Sequence, residues 1–388
     1  MQILRSLPVQ LGIAIATILI GGPFFPIWFM RGFYTFSLFF KELLGFILPF
    51  MVLFFVLAGI LSFKQKAPYI LSIMLGLIFC SNALVALICY GVMVLFSGVI
   101  SCQTGFEMIS TSNEMTPYFI FSLPISINPV HALLAAIGIG LFSVIFGFTY
   151  FEPAIITAKN GIEKVLNRFF IPLLPLYIFG FLIKIWHEGM FTCLFQQYGS
   201  AFVLIISLQM IYLIWFYLLA TNFSLFNAFY AIKNALPSYI TAFSTMSSAA
   251  AIPVSIQGAE RNTGNAQLAH VAMPIMANVH LLGDSFVTPI LAIVTMLVFQ
   301  GIFPSMLQYL SFVFYFCVSM FAVSGIPGGG LLVMIPILKS QLGFTPQMIS
   351  MIMTIYFLLD SFGTGANVMG DGALVIIVSK VLRRLKLY

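Results

Sequence analysis

Residues 360–371, DSFGTGANVMGD, place four polar side chains inside a long apolar segment. The four are Asp360, Thr364, Asn367 and Asp371, at positions i, i+4, i+7 and i+11. An α-helix turns about 100° per residue, so all four fall on one narrow stripe of a helix face. A carboxylate inside a bilayer is costly and usually has a functional role. The stripe therefore predicts a polar site within a membrane-spanning helix.

The composition of the whole chain excludes a soluble globular protein. Of its 388 residues, 61% are hydrophobic and 7% are charged, whereas soluble domains are roughly 45–50% apolar and about 25% charged. The apolar runs, such as 11–33, 131–151 and 201–219, are continuous and reach the roughly 20 residues that a helix needs to cross the hydrocarbon. They lack the short alternating pattern of a membrane β-barrel. We therefore predict an all-α polytopic membrane protein.

The first 230 residues predict a scaffold of six spans. Their boundaries are about 9–30, 36–63, 67–99, 129–152, 166–187 and 199–229. Of the 16 basic residues, 12 lie in alternate segments between spans, and lysine and arginine gather on cytoplasmic loops. The net charge of +6 is therefore a topology signal rather than a nucleic-acid surface, and we expect both termini to be cytoplasmic. We interpret the first apolar run as an uncleaved span.

Small and polar residues interrupt the apolar segments of residues 231–388. The serine-rich run 241–255 precedes a span broken between 278 and 284, and the run 322–330, AVSGIPGGG, precedes the last span. All three aspartates of the chain, Asp284, Asp360 and Asp371, lie in this half. Irregular backbone at membrane depth must line a cavity or be covered by protein. Interrupted helices in corresponding positions of a repeat therefore indicate the binding site of a transporter.

The polar groups of this half suit an amino acid and a cation. One carboxylate can bind a ligand's ammonium group, and another can hold a hard cation with carbonyl oxygens freed where helices break. The N-terminal ends of half-helices can bind the ligand's carboxylate. Asp360 and Asp371 lie about 16 Å apart along the helix, too far to share a proton as an aspartic protease dyad does, although an intramembrane protease could still pair Asp284 with one of them. Together these groups predict cation-coupled symport of an amino acid.

The sequence resembles the dicarboxylate/amino acid:cation symporter family, the bacterial and archaeal relatives of glutamate transporters. The resemblance rests on NPVHAL at 128–133, TAFSTMSSAAAIPVS at 241–255, AVSGIPGGG at 322–330 and DSFGTGANVMGD at 360–371. It implies symport of an amino acid or related dicarboxylate, with sodium as the expected coupling cation. It also implies eight transmembrane helices and two re-entrant helical hairpins with inverted repeats, a homotrimer, and an elevator mechanism in the bacterial inner membrane. Residues 1–230 would hold spans 1–6, with the scaffold, the trimer contacts and part of the transport domain. Residues 231–388 would hold both hairpins, spans 7 and 8, and the substrate and cation sites.

The resemblance also implies a set of site residues. The substrate would meet Ser247, Ser248, Asp284, Ile326, Gly330, Asp360, Gly363, Thr364 and Asn367, with its ammonium group on Asp360. One cation would use the Asp371 carboxylate and the carbonyl groups of Asn367, Met276 and His280. A second would use carbonyl groups around Asn278, Leu281 and the second hairpin.

Two departures from the family motifs change the expected substrate and coupling. The family's Asn-Met-Asp-Gly-Thr reads His280-Leu281-Leu282-Gly283-Asp284, which removes side-chain ligands of one sodium site. The family's last-helix arginine, which binds an acidic substrate side chain, is Gly363 here. We therefore expect fewer coupled sodium ions and a neutral or basic amino acid favoured over an acidic one. His280 is either a proton carrier or a hydrogen-bonded packing residue.

Other functions are compatible with the sequence. A proton-coupled symporter of the same fold is the main alternative. A ligand-gated ion channel is a weaker one, because channels usually repeat one filter around an axis. An enzyme is disfavoured, since no nucleophile–base pair or metal cluster stands out and the five cysteines have no CxxC spacing. We expect no cofactor beyond the coupling ion, Na⁺ or H⁺, and no nucleic-acid partner.

Overall fold

The computed structural model describes residues 7–62, 68–96, 115–123, 129–147, 150–187, 191–321, 323 and 328–385. Within these ranges the chain forms α-helices and no strand, which confirms the all-helical prediction. In chain order the helices are α1 (Leu7–Gly21), α2 (Ile27–Ser62), α3 (Pro68–Phe96), α4 (Pro129–Phe146), α5 (Glu152–Val165), α6 (Ile171–His187), α7 (Phe191–Ala220), α8 (Leu225–Thr245), α9 (Ser248–Thr263), α10 (Ala266–Val279), α11 (Leu282–Gln300), α12 (Met306–Met320), α13 (Gly329–Leu342) and α14 (Pro346–Arg384).

The first predicted boundary between spans is wrong. We expected a break between residues 30 and 36, but the chain breaks at 22–26, where Gly22–Phe24 form one 3₁₀ turn before α2. Pro23 and Pro26 explain this position, because proline lacks the N–H of a helical residue and clashes with the preceding turn. A Cβ at Gly22 would lie 2.6 Å from the Trp186 ring, so glycine also permits close packing there.

Two further boundaries differ from expectation. Helix α5 begins at Glu152 and continues through a π-helical stretch, Leu166–Phe170, into α6, so the basic segment before the predicted span 166–187 is helical. Helix α7 ends at Ala220, because Asn222 and Phe223 adopt left-handed conformations and the Ser224 side chain caps α8. The helix that leads into the serine-rich run therefore begins at Leu225.

The C-terminal half contains two helix pairs, a broken helix and one long helix. The first hairpin is α8 and α9, joined by Met246 and Ser247, and the second hairpin is α12 and α13, separated by residues 321–328. His280 and Leu281 separate α10 from α11. The 39-residue α14 packs against α7, α8, α9, α10 and α11, and it also contacts α13. Both interrupted segments are thereby brought against α14.

The described residues include four helical segments that are long and apolar enough to cross a membrane. They are Ser72–Phe96, Tyr198–Ala220, Ala266–Gln300 and Pro346–Arg384. Large apolar side chains such as Ile20, Val203 and Ile211 are more than half exposed, which suits a surface in contact with lipid. The chain is therefore a multi-pass membrane protein, and the total of eight spans stays a prediction.

Candidate functional site

The polar stripe on α14 is buried inside the protein. Asp360, Thr364, Asn367 and Asp371 are each at most 5% exposed. A buried carboxylate needs partners that donate hydrogen bonds or carry positive charge. The partners of each acid therefore define what the site can bind.

Asp360 is held by its own helix and by the residue that precedes α13. The backbone N–H of Gly328 donates to Oδ2 at 2.8 Å, and the Thr364 hydroxyl donates to Oδ1 at 3.1 Å. Gly328 has a φ of +71°, a conformation that glycine adopts freely, and a Cβ there would overlap the Phe357 ring. Glycine at this position therefore lets the second hairpin approach Asp360.

Asp284 lies in the first turn of α11 and is bound by two side chains of α14. The Tyr356 hydroxyl donates to Oδ1, and the Asn367 amide donates to Oδ2 at 2.7 Å. The Asn367 side-chain oxygen accepts the backbone N–H groups of Gly283 at 2.7 Å and Asp284 at 3.2 Å. The resemblance implied a substrate contact for Asn367. In the structure both the oxygen and the nitrogen of its side-chain amide are bonded to the start of α11.

Sequence reasoning missed Tyr356. This residue lies four positions before Asp360, one turn earlier on the same face of α14, so the stripe continues beyond Asp360. Aromatic residues make up 16% of the chain, and one more tyrosine in an apolar helix carries no signal of its own. Its spacing from Asp360 was the available clue.

A small cavity lies between Asp284 and Asp360. The space open to the centre of a water molecule is about 10 Å³, room for about one water. Its lining residues are Met246, Ser248, Leu281, Asp284, Val323, Gly330, Tyr356, Asp360, Thr364 and Asn367. No lysine, arginine or histidine occurs among these described residues. Two buried acids therefore share a cavity without a basic partner in its described lining.

The structure brings most, but not all, of the predicted substrate residues to this cavity. Ser248, Asp284, Gly330, Asp360, Thr364 and Asn367 line it, together with Met246, Val323 and Tyr356. Ile326 lies outside the described residues.

Ser247 and Gly363 lie beside the cavity rather than in its lining. The Ser247 side chain accepts the Ala250 N–H at 3.3 Å and caps α9. A Cβ at Gly283 would overlap the Gly363 carbonyl, so glycine at 283 permits α11 and α14 to approach closely at this point. Both residues thus support the cavity walls.

The residues predicted to hold cations surround the break between α10 and α11. Leu281 lines the cavity, and the Asn278 side chain donates to the Pro274 carbonyl at 2.8 Å. The His280 N–H donates to the Met276 carbonyl at 2.8 Å. We predicted a carbonyl contact for His280, but its ring also binds the predicted ligand Asp371, with Nδ1 and Oδ1 2.8 Å apart. Within the part of the chain that the structure describes, no three His, Cys, Asp or Glu side chains form a metal cluster.

Ser81, His280 and Asp371 contact one another in the order of a hydrolase triad. The Ser81 hydroxyl oxygen lies 3.0 Å from His280 Nε2. However, Ser81 is 9% exposed, His280 and Asp371 are 0% exposed, and none of the three lines the cavity. A nucleophile has to reach its substrate, so this buried chain of contacts offers no site for acyl transfer.

Comparison with known proteins finds proteins named as transporters or symporters among the relatives of this chain. The chain is 26% identical over 360 residues to the serine/threonine transporter SstT of Acinetobacter baylyi, and the alignment covers 86% of each protein. It is 36% identical over 134 residues to SstT of Acinetobacter baumannii, which is 34% of this chain and 33% of that relative. It is 29% identical over 154 residues to an uncharacterized symporter of Haemophilus influenzae, which is 39% of this chain and 35% of that relative. The two shorter alignments thus span about a third of each relative.

A family model described as the sodium:dicarboxylate symporter family matches residues 7–381. This match extends over nearly the whole chain, including both hairpins and the stripe of α14. The protein therefore belongs to the sodium:dicarboxylate symporter family.

Proposed function

We propose that the protein is a sodium-coupled symporter of a small neutral amino acid whose side chain donates a hydrogen bond, such as serine. The observation that carries this proposal is the pair of buried carboxylates, Asp284 and Asp360, at one cavity whose described lining has no basic side chain. Two relatives are named serine/threonine transporters, which supports the same class of substrate. Members of the family are symporters rather than enzymes.

Asp360 binds the substrate's ammonium group in this proposal. Thr364 fixes Oδ1, and the Gly328 N–H is bonded to Oδ2. An arriving ammonium group shares or replaces the Gly328 contact, so substrate binding and the position of the second hairpin depend on each other. A hydrogen bond to a charged group contributes about 1.5–3 kcal/mol.

The two hairpins offer helix N-termini for the substrate's carboxylate. Helix α9 begins at Ser248 and helix α13 at Gly329, and Ser248 and Gly330 line the cavity. The first N–H groups of a helix have no partner within it and carry partial positive charge, so they bind anions well. Ser247 and Ile326 would contribute beside them, as the family resemblance implies.

Asp284 recognises the substrate's side chain. The Tyr356 hydroxyl and the Asn367 amide already donate to its two oxygens, so the group presents only acceptor capacity to the cavity. A serine or threonine hydroxyl can donate to it, whereas a substrate carboxylate would place like charge beside it. Gly363 supplies no compensating positive charge. A basic amino acid would also match the two acids, but the two relatives named serine/threonine transporters favour the smaller neutral substrate.

Sodium binds near the break between α10 and α11 in this proposal, with carbonyl groups around Asn278, Leu281 and the second hairpin. The residues fit such a role because His280 (φ −98°, ψ 89°) and Leu281 (φ −107°, ψ 63°) depart from helical geometry, and carbonyl oxygens at broken helices are the ligands that sodium takes in transporters. When bound, sodium links substrate uptake to the sodium gradient. The carboxylates of Asp360 and Asp284 and the helix N-termini of the two hairpins bind and orient the amino acid.

We also propose a homotrimer that works by an elevator mechanism in the bacterial inner membrane, with both termini cytoplasmic. The family resemblance supports the trimer and the elevator, and the distribution of basic residues supports the orientation. In this scheme residues 1–230 hold the scaffold and part of the transport domain, and residues 231–388 hold the transport core.

Uptake into proteoliposomes tests the proposal. Labelled serine is offered under separate sodium and proton gradients, with threonine, alanine, lysine and glutamate as competitors. We expect sodium-driven accumulation that threonine inhibits best and glutamate least. Accumulation driven by protons alone would instead support the proton-coupled alternative, and flux without accumulation would support a channel. Strongest inhibition by glutamate would contradict the substrate class.

A further inference from the structure

His280 and Asp371 form a fully buried pair outside the substrate cavity. Nδ1 of the ring lies 2.8 Å from Oδ1 of the carboxylate, and the two side chains are 0% and 1% exposed. An ionised carboxylate only accepts hydrogen bonds, so the ring nitrogen is the donor. On the far side of the ring, Nε2 contacts the Ser81 hydroxyl of α3 at 3.0 Å. The pair therefore links α3 and α14 through the break between α10 and α11.

The groups around Asp371 do not fit a sodium ion. The expected ligands were the Asp371 carboxylate and the carbonyl oxygens of Asn367, Met276 and His280. Oδ1 is taken by the His280 ring, whose Nδ1 lies 2.8 Å from it. Oδ2 has no hydrogen-bond partner among the described residues, but a single oxygen does not replace the set of oxygen ligands that a hard cation needs.

The imidazole is also enclosed by its neighbours. A Cβ at Gly370 would lie 3.4 Å from His280 Cε1, so the ring packs directly against the backbone of α14 next to Asp371. On another side the Phe216 ring of α7 lies 6.4 Å away between centroids. The ring thus has packed neighbours from α3, α7 and α14, and it cannot leave Asp371 without disturbing them.

We propose that the imidazole of His280 occupies the position at Asp371 that the family resemblance gives to a sodium ion. Asp371 then binds the α10–α11 break to α14 through its hydrogen bond with His280 and binds no coupling ion. The inference rests on the proposed function in one respect, because it leaves sodium coupling to the carbonyl groups around Asn278 and Leu281. It makes His280 and Asp371 positioning residues for that broken segment.

Sodium-dependent thermal stability of the purified full-length chain tests the inference without any substrate. A bound ion stabilises the folded state by mass action, so melting temperatures are compared in sodium chloride and in choline chloride of equal ionic strength. Asp371→Asn should keep the sodium-induced shift of the wild type, since a side-chain amide still accepts from His280. His280→Asn, which restores the family's residue and frees the carboxylate, should increase the shift. Ser350→Ala, far along α14 and removing a hydroxyl that donates to the Pro346 carbonyl, is the control and should leave the shift unchanged.

Two results would overturn the inference. One is loss in Asp371→Asn of a sodium-induced shift that the wild type has, because Asp371 would then be a ligand. The other is no increase in His280→Asn, because the ring would then not be what keeps sodium from Asp371. If Asp371→Asn does not fold, the result for His280→Asn is sufficient to test whether the ring keeps sodium from Asp371. A wrong assignment of the substrate would appear in the uptake assay and not here.

Discussion

Replacing Gly330 by alanine should weaken the binding of serine about 5- to 150-fold. An added Cβ would lie 2.8 Å from the Tyr356 hydroxyl and 2.9 Å from Asp284 Oδ1, closer than carbon and oxygen normally pack. Tyr356 is 1% exposed and Asp284 is 4% exposed, so neither side chain can turn away without breaking their mutual hydrogen bond. Forcing a methyl group into such a site costs about 1–3 kcal/mol. The free chain avoids this cost when α13 moves away from Asp284, but the bound state bears it when α13 closes on serine, and 1.4 kcal/mol corresponds to tenfold in affinity.

Equilibrium binding of serine to the purified chain at fixed sodium measures this effect. Gly91→Ala in α3 is the matched control, because a Cβ there meets no neighbouring atom within 4 Å among the described residues and should leave the affinity unchanged. Equal affinities of Gly330→Ala and Gly91→Ala would refute the reasoning, since the start of α13 would then not close against Asp284 when serine is bound.

Three further substitutions test single contacts of the cavity. Asp360→Asn removes the charge that meets the ammonium group and should lower serine affinity by about one to two decades; an unchanged dissociation constant in a variant with wild-type melting temperature would place the ammonium elsewhere. Asp284→Asn removes the like charge and should raise the affinity of aspartate relative to serine about 5- to 150-fold; competition binding measures the ratio, and a constant ratio would contradict the role of Asp284. Tyr356→Phe deletes one donor to Asp284 and should weaken the binding free energy of serine by about 1–3 kcal/mol, whereas that of alanine should change less. Equal losses for both amino acids would mean that Tyr356 contributes only packing.

Helix periodicity was enough to predict the stripe of α14. The spacing of Asp360, Thr364, Asn367 and Asp371 places them on one face of any helix, and their burial followed from the scarcity of charge in the chain. The breaks at Gly328 and His280 were likewise visible as small or polar residues inside apolar segments. These features depend on local sequence, so the structure confirms their placement, while their roles in binding stay predictions.

Contacts across the fold could not be predicted in the same way. The sequence places His280 at an interruption between helices, but it does not give the rotamer that directs its ring to Asp371 and Ser81, which is 199 residues away in the chain. The Tyr356–Asp284 hydrogen bond likewise joins two residues that are 72 positions apart in the chain. The break before α2 was misplaced for a local reason, since the apolar composition concealed the effect of Pro23 and Pro26.

The most direct test of the proposed function is accumulation of serine against its gradient in proteoliposomes with an inward sodium gradient. We expect the internal serine concentration to exceed the external one, to fall to equilibrium when choline replaces sodium, and to exceed the accumulation of aspartate. Accumulation of aspartate without accumulation of serine under the same gradient would contradict the roles of Asp284 and Gly363.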